Sequence, residues 1–175
     1  STTHGSLVHD LPVLGDESWL LDHPEVEVVI GVGPPKAKQT IANRIKRLGQ
    51  WSFPVLIDPA AVIMDRVVLD EGCIVCAGTM ITTDVVIGKF VTINLGVTVG
   101  HDTVIHDFVT ISPSFNLSGN CTVGELADLG TGGAAIQGKT IGAGTVVGAG
   151  GVVVRDLPSN TVAVGIPAKP IKMLE

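Results

Sequence analysis

The chain has no tyrosine, and aromatic residues make up 3% of its 175 residues, although 45% are hydrophobic. A conventional core draws much of its volume from aromatic rings. Apolar content so poor in them must pack as medium-sized aliphatics, as the narrow interior of a solenoid requires. Positive charge is also scarce: 11 Lys and Arg against 17 Asp and Glu leave a formal charge of −6. That excludes a broad electrostatic footprint for nucleic acid but leaves room for a local basic site for an anionic cofactor. No run of 18 apolar residues suggests a membrane span and no signal peptide opens the chain, so a cytoplasmic protein is expected. There are three cysteines, the usage of a reduced compartment. Cys73 and Cys76 have C-x-x-C spacing, but no partners for a redox or zinc site are evident, and both are expected as packed thiols.

What is abundant is periodicity. Every sixth residue across residues 63–153 is Ile, Leu or Val, from Ile63, Leu69, Val75 and Ile81 onward to Ile141, Val147 and Val153, with Ala135 the one exception. The phase never slips. The residue following is often Gly or small and polar (Gly88, Asn94, Gly100, Ser112, Gly124), and the residue two before is mostly small or β-branched (Val67, Cys73, Thr79, Val85). This hexapeptide repeat predicts a parallel β-helix of roughly five three-stranded coils with stacked inward ladders, and with glycines serving permissive corners.

Before the repeat, residues 11–15 read as a short edge strand and residues 18–21 as a short helix. Residues 25–32 (EVEVVIGV) read as a buried strand. Pro34 and Pro35 open a helix over residues 36–48 with apolar Ile41, Ala42, Ile45 and Leu48 on one side, and Gly49 is the expected cap. A second strand is expected over residues 53–57. Strand, helix, strand is half of a Rossmann-like unit. No G-x-G-x-x-G run precedes residue 25, so the phosphate-binding loop is either trimmed away or lacking. Gly31-Val32-Gly33 is a weak substitute that reads first as a strand end. The expected organisation is a partial Rossmann-like α/β unit (1–58), a β-helix (59–160) and a C-terminal strand and tail (161–175) with one helical turn covering the last coil. The fold class is mainly β.

The repeat also sorts the polar residues. His101 lies two positions past the inward Val99, at a corner or facing out, and Asp102 next to it could hold one ring nitrogen and favour the imidazolium. A histidine there suits a general base. His106 follows the inward Ile105 and reads as a surface residue. His4, His9 and His23 have no metal spacing. Asn94 stands where Gly or a small residue is usual, either reaching a ligand or serving as a corner Asn. Lys139, Arg155, Lys169 and Lys172 come late in the chain and are available to phosphates or to solvent. No Ser-His-Asp order is recognisable, so nothing in the residues demands a covalent intermediate.

The repeat, the segment Val99-Gly100-His101-Asp102, the segment Phe108-Val109-Thr110-Ile111-Ser112-Pro113 and the ending Val164-Gly165-Ile166-Pro167-Ala168-Lys169 together resemble the left-handed β-helix acyltransferases. More narrowly, they resemble the sialic-acid O-acetyltransferase-like family, which includes N-acetyltransferases of nucleotide-linked amino sugars. The resemblance implies a homotrimer with acetyl-CoA in the groove between neighbouring β-helices, no metal, and a role in bacterial surface-glycan synthesis. It implies His101 as general base tuned by Asp102, and Asn94 near the sugar. It further implies a backbone N–H of Gly119 facing the thioester, Thr131 and Ala149 along the pantetheine arm, and Gly31 and Val32 bordering the nucleotide-sugar pocket. Thr110, expected at the cofactor, replaces a second histidine of many relatives. The residues do not separate an amine acceptor from a sugar or sialic acid hydroxyl. A γ-class carbonic-anhydrase chemistry needs three His ligands, and the solenoid holds only His101 and His106. A non-catalytic binding solenoid is the alternative of another class.

Overall fold

The computed structural model describes residues 5–174. Two-residue strands, one per hexapeptide, coil into a parallel β-helix with three sheet faces. The first face runs from Val62–Ile63 to Val152–Val153, the second from Val68–Leu69 to Thr140–Ile141, and the third from Leu56–Ile57 through Ile74–Val75 and Val146–Val147 to Thr161–Val164. Register is set by one full coil: Thr98 pairs with Asn116 and Val99 with Leu117, so like positions recur eighteen residues apart. The inward ladder is buried from Val75 to Val153, and so is the accompanying ladder of Cys73, Thr79, Val85, Val91, Val97, Phe115 and Cys121. Burying each such aliphatic contributes about 1.5–3 kcal/mol relative to exposure. The interior is therefore a continuous rod that needs little aromatic volume.

The corners obey a second six-residue period. Every sixth residue from Arg66 to Gly150 has a positive φ near 55–72°. Eight of these fifteen are not glycine, among them Asp84, Phe90, Asp102, Phe108 and Leu126. The glycines that follow the inward residue have a different purpose. A Cβ on Gly100 would lie 2.3 Å from the Gly119 nitrogen, and one on Gly124 would lie 2.4 Å from the Ala143 nitrogen. They allow adjacent coils to approach, and the left-handed corner falls two positions later.

Several N-terminal expectations change. Residues 25–32 form no strand; among the described residues their one sheet-like pairing is a parallel bridge from Glu27 to Ser52. With no further strand alongside, there is no sheet to join. The strand expected over residues 53–57 shrinks to Leu56–Ile57, and its partner is Ile74–Val75, so it is the first rung of the third face. Leu11–Pro12 and a 3-10 helix over Glu17–Asp22, capped by Asp16, lie where a short strand and a short helix were expected; the strand's hairpin partner, Leu7–Val8, was not expected. Helix α1 spans Pro35–Leu48, with proline at its start. Gly49 follows it in an extended conformation (φ 171°), so it is no left-handed cap; its lack of a side chain admits the Trp51 ring. Among the described residues the C-terminal tail forms no helix. Lys169–Met173 pairs antiparallel with Thr161–Val164 and covers the edge of the third face.

Helix α1 packs on the corner between the second and third faces. There Phe90 and Phe108, one coil apart, stack with centroids 5.2 Å apart, and Phe53 meets Phe90 edge-on at 5.0 Å. Ile30, Ala42 and Ile45 bury against them. The left-handed backbone at Phe90 and Phe108 is unusual for bulky residues. It turns two of the few aromatic rings outward as a platform for the N-terminal unit.

Candidate active site

His101 occupies the corner between the first and second faces. Its side chain is 52% exposed, and that of Asp102 is 62% exposed. Nδ1 lies 2.7 Å from Asp102 Oδ2. A carboxylate can only accept, so the shared proton resides on Nδ1, and in the neutral imidazole Nε2 then holds the lone pair. Asp102 presents its side chain from the left-handed corner position (φ 56°), and its N–H donates to Thr83 O at 3.2 Å. The His101 carbonyl accepts from Asn120 N at 2.6 Å. One coil further on, Gly119 lies directly against the imidazole: a Cβ there would be 2.6 Å from Nε2 and 2.7 Å from Cε1. The ring is thus held from the side by Asp102 and seated on the bare backbone of Gly119.

The next corner, between the third and first faces, carries the other expected residues. Thr131 and Ala149 repeat one position in successive coils, both exposed, and Thr131 O accepts from Gly150 N at 2.8 Å. Two coils before Thr131, Asn94 lines a cleft of about 200 Å³ with Ile30, Gly31, Val32, Gly33, Ile74 and Thr92. Asn94, Gly31 and Val32, which the resemblance puts near the sugar and its nucleotide, line one cleft. His101 with Gly119, and Asn94 with Thr131 and Ala149, line opposite edges of the first face. At its C-terminal end a second cleft of about 270 Å³, lined by Val154, Arg155, Pro167, Ala168 and Lys169, carries two cations.

Thr110 joins neither group. It lies on the third face, 5% exposed. Its hydroxyl donates to Gly33 O at 2.6 Å and accepts from Lys38 Nζ at 3.1 Å. Sequence reading missed Lys38, although its spacing to Ala42 and Ile45 places it on the buried stripe of α1. Burial pulls its pKa down to about 8. His106 is exposed on the corner between the second and third faces, and His23 stacks on Trp19 with centroids 3.5 Å apart. His4 lies outside the described residues. Cys73 is buried, its thiol pushed up to about 11 by desolvation, and Cys76 lines an apolar hollow with Leu56 and Leu95. Among the described residues no cluster of His, Cys, Asp or Glu could hold a metal, and no helix is long and apolar enough to cross a membrane.

No family model matches the chain. Solved structures do. The acetyltransferase domain of PglB from Neisseria gonorrhoeae, solved also with acetyl coenzyme A, is 34% identical over 98% of this chain and 84% of its own, with a TM-score of 0.88. Perosamine N-acetyltransferase from Caulobacter crescentus, crystallised as a histidine-to-asparagine variant with CoA and GDP-perosamine, is 38% identical over 94% and 80%, with a TM-score of 0.90. WeeI from Acinetobacter baumannii is 28% identical over 97% and 82%, with a TM-score of 0.89. Among curated relatives, an inferred acetyltransferase of Schizosaccharomyces pombe is 55% identical over 47 residues, 27% of this chain. The matched stretch spans only 23% of that relative's length.

Proposed function

The chain belongs to the hexapeptide-repeat N-acetyltransferases with a left-handed β-helix, and from that membership we propose that it transfers the acetyl group of acetyl-CoA to the amine of a nucleotide-linked amino sugar. The observation that carries the reading is the imidazole of His101, oriented by Asp102 and seated on Gly119 at an open corner. In the reaction Nε2 takes a proton as the amine nitrogen attacks the thioester carbonyl. Asp102 accepts from Nδ1–H and stabilises the imidazolium that forms. The developing oxyanion takes a backbone N–H, assigned to Gly119. Collapse of the tetrahedral intermediate breaks the carbon–sulfur bond, CoA leaves as the thiolate, and the proton held on His101 neutralises it. The amide product and free CoA balance the reaction, and no metal takes part.

The acceptor reading rests on the cleft of Asn94, Gly31 and Val32 and on GDP-perosamine in the C. crescentus relative. The pantetheine arm is assigned to the corner of Thr131 and Ala149, and the CoA phosphates to the cleft of Arg155 and Lys169. Thr131 and Ala149 lie across the first face from His101, whereas Arg155 repeats the corner position of His101 three coils on. A homotrimer sets one copy's corner against its neighbour's, which is why we read the working unit as three chains. Thr110 then serves the site through its bond to Gly33 rather than by touching the cofactor. A cytoplasmic setting and a part in surface-glycan synthesis come with the reading as expectations of the resemblance. Replacing His101 with Ala is expected to lower turnover by about 10²-fold or more while the assembly stays folded. Turnover like the wild type's in steady-state kinetics would sink the assignment.

A further inference from the structure

Lys38 is a buried cation without an evident role in acetyl transfer. It is 1% exposed, and among the described residues it has no ion-pair partner. Its ammonium crosses from the second turn of α1 to the third face and uses all three of its donors there: Thr92 Oγ1 at 3.0 Å, Val109 O at 3.2 Å and Thr110 Oγ1 at 3.1 Å. Burying a charge is costly; the Asp128 carboxylate eases that cost through space without closing to an ion pair, and the three oxygen dipoles compensate it directly.

Both hydroxyls are directed by this arrangement. An ammonium cannot accept, so each threonine oxygen receives a proton from Lys38 and keeps its own for another partner. Thr110 gives its proton to Gly33 O at 2.6 Å, which ties down the loop that walls the cleft beside Asn94. Thr92 lines that same cleft, and its hydroxyl proton has no acceptor among the described residues. We propose that Lys38 is a positioning residue for the acceptor cleft, fixing residues 31–33 through Thr110 and turning the Thr92 hydroxyl into a donor for an acceptor oxygen of the bound sugar nucleotide. The inference rests on reading this cleft as the acceptor site. Its structural half, the tethering of the loop, stands independently of the ligand.

The test has two arms. In the ligand-free protein, amide hydrogen exchange at residues 31–33 is expected to quicken about tenfold in Lys38→Met and in Thr110→Val, the loss of roughly one charge-assisted bond. Exchange across the inward ladder at Val147 and Val153 should stay as in the wild type. In steady-state kinetics, Lys38→Met and Thr92→Val should each raise KM for the sugar nucleotide about tenfold, leaving kcat and KM for acetyl-CoA within about threefold. The double variant should be no worse than the poorer single one. Unchanged exchange at 31–33 overturns the tether, whatever the substrate. Additive effects, or an unmoved acceptor KM in Thr92→Val, overturn the donor. If the wild type acetylates no sugar nucleotide, the functional reading falls and takes the donor with it, while the exchange arm still decides the tether.

Discussion

Gly119→Ala is the most discriminating single substitution. The added methyl would sit 2.6, 2.7 and 2.8 Å from Nε2, Cε1 and Cδ2 of His101, whereas carbon contacts relax at about 3.5–4 Å. The ring must retreat by about 1 Å. It is free to do so, because its side chain is half exposed and its bond to Asp102 is a surface pair of little stabilising value. Gly119 has no left-handed φ, so alanine strains no backbone. Stability should therefore change by no more than about 0.5 kcal/mol. Activity should not survive, since displacing a catalytic group by about 1 Å costs on the order of 10²-fold. The assay is kcat/KM for CoA release beside a thermal melt. Gly100→Ala is the control: its Cβ meets backbone, 2.3 Å from the Gly119 nitrogen, so it should cost about 1–3 kcal/mol and lower activity and stability together. An active Gly119→Ala enzyme, or one as destabilised as Gly100→Ala, would refute the placement of the base.

Other outcomes follow from charge. Lys38 titrates at about 8 in the folded chain against an ordinary 10.5, because burial disfavours its charge. Between those values the unfolded chain holds more protons, so stability rises with pH, by about 1.4 kcal/mol per pH unit and about 3 kcal/mol in full. The Cys73 thiol, pushed from 9.0 to about 11, acts with the opposite sign above pH 9. Urea unfolding at fixed protein concentration should thus show stability rising from pH 8 to 9 and then levelling, and Lys38→Met should abolish the rise. Replacing Arg155 and Lys169 together with Ala should raise KM for acetyl-CoA about tenfold at low salt, an effect that shrinks as salt screens the wild-type attraction.

The β-helix was legible because its rule is strictly periodic: one inward aliphatic per six residues sets strands, faces and the corner position of His101. The N-terminal unit was not, since its elements are short and their partners distant. The apolar run at residues 25–32 has the composition of a buried strand, yet whether a strand forms depends on neighbours, and only Ser52 is there to bridge Glu27. The spacing of Lys38 to Ala42 and Ile45 sets it apart from Lys36 on the buried stripe of α1, but the hydroxyls that receive it belong to the third face and are not local in sequence. Likewise, nothing local marks Phe90 and Phe108 as the seat of α1. Their place in the repeat, three past the inward residue, is the signal that could have found them. In the site, the His101–Asp102 pair was readable as neighbours. The contact of His101 with Gly119 required knowing that eighteen residues make one coil.

The central claim is acetyl transfer from acetyl-CoA to a sugar amine, with His101 as base. Its most direct test incubates the purified protein with acetyl-CoA and a panel of nucleotide-linked amino sugars, GDP-perosamine among them. Thiol release and product mass are followed, and the product is then treated with alkaline hydroxylamine, which strips esters and spares amides. The account predicts one thiol per acetyl group gained, a hydroxylamine-resistant product, and loss of both signals in His101→Ala. A hydroxylamine-labile product, or equal turnover with and without His101, would contradict it.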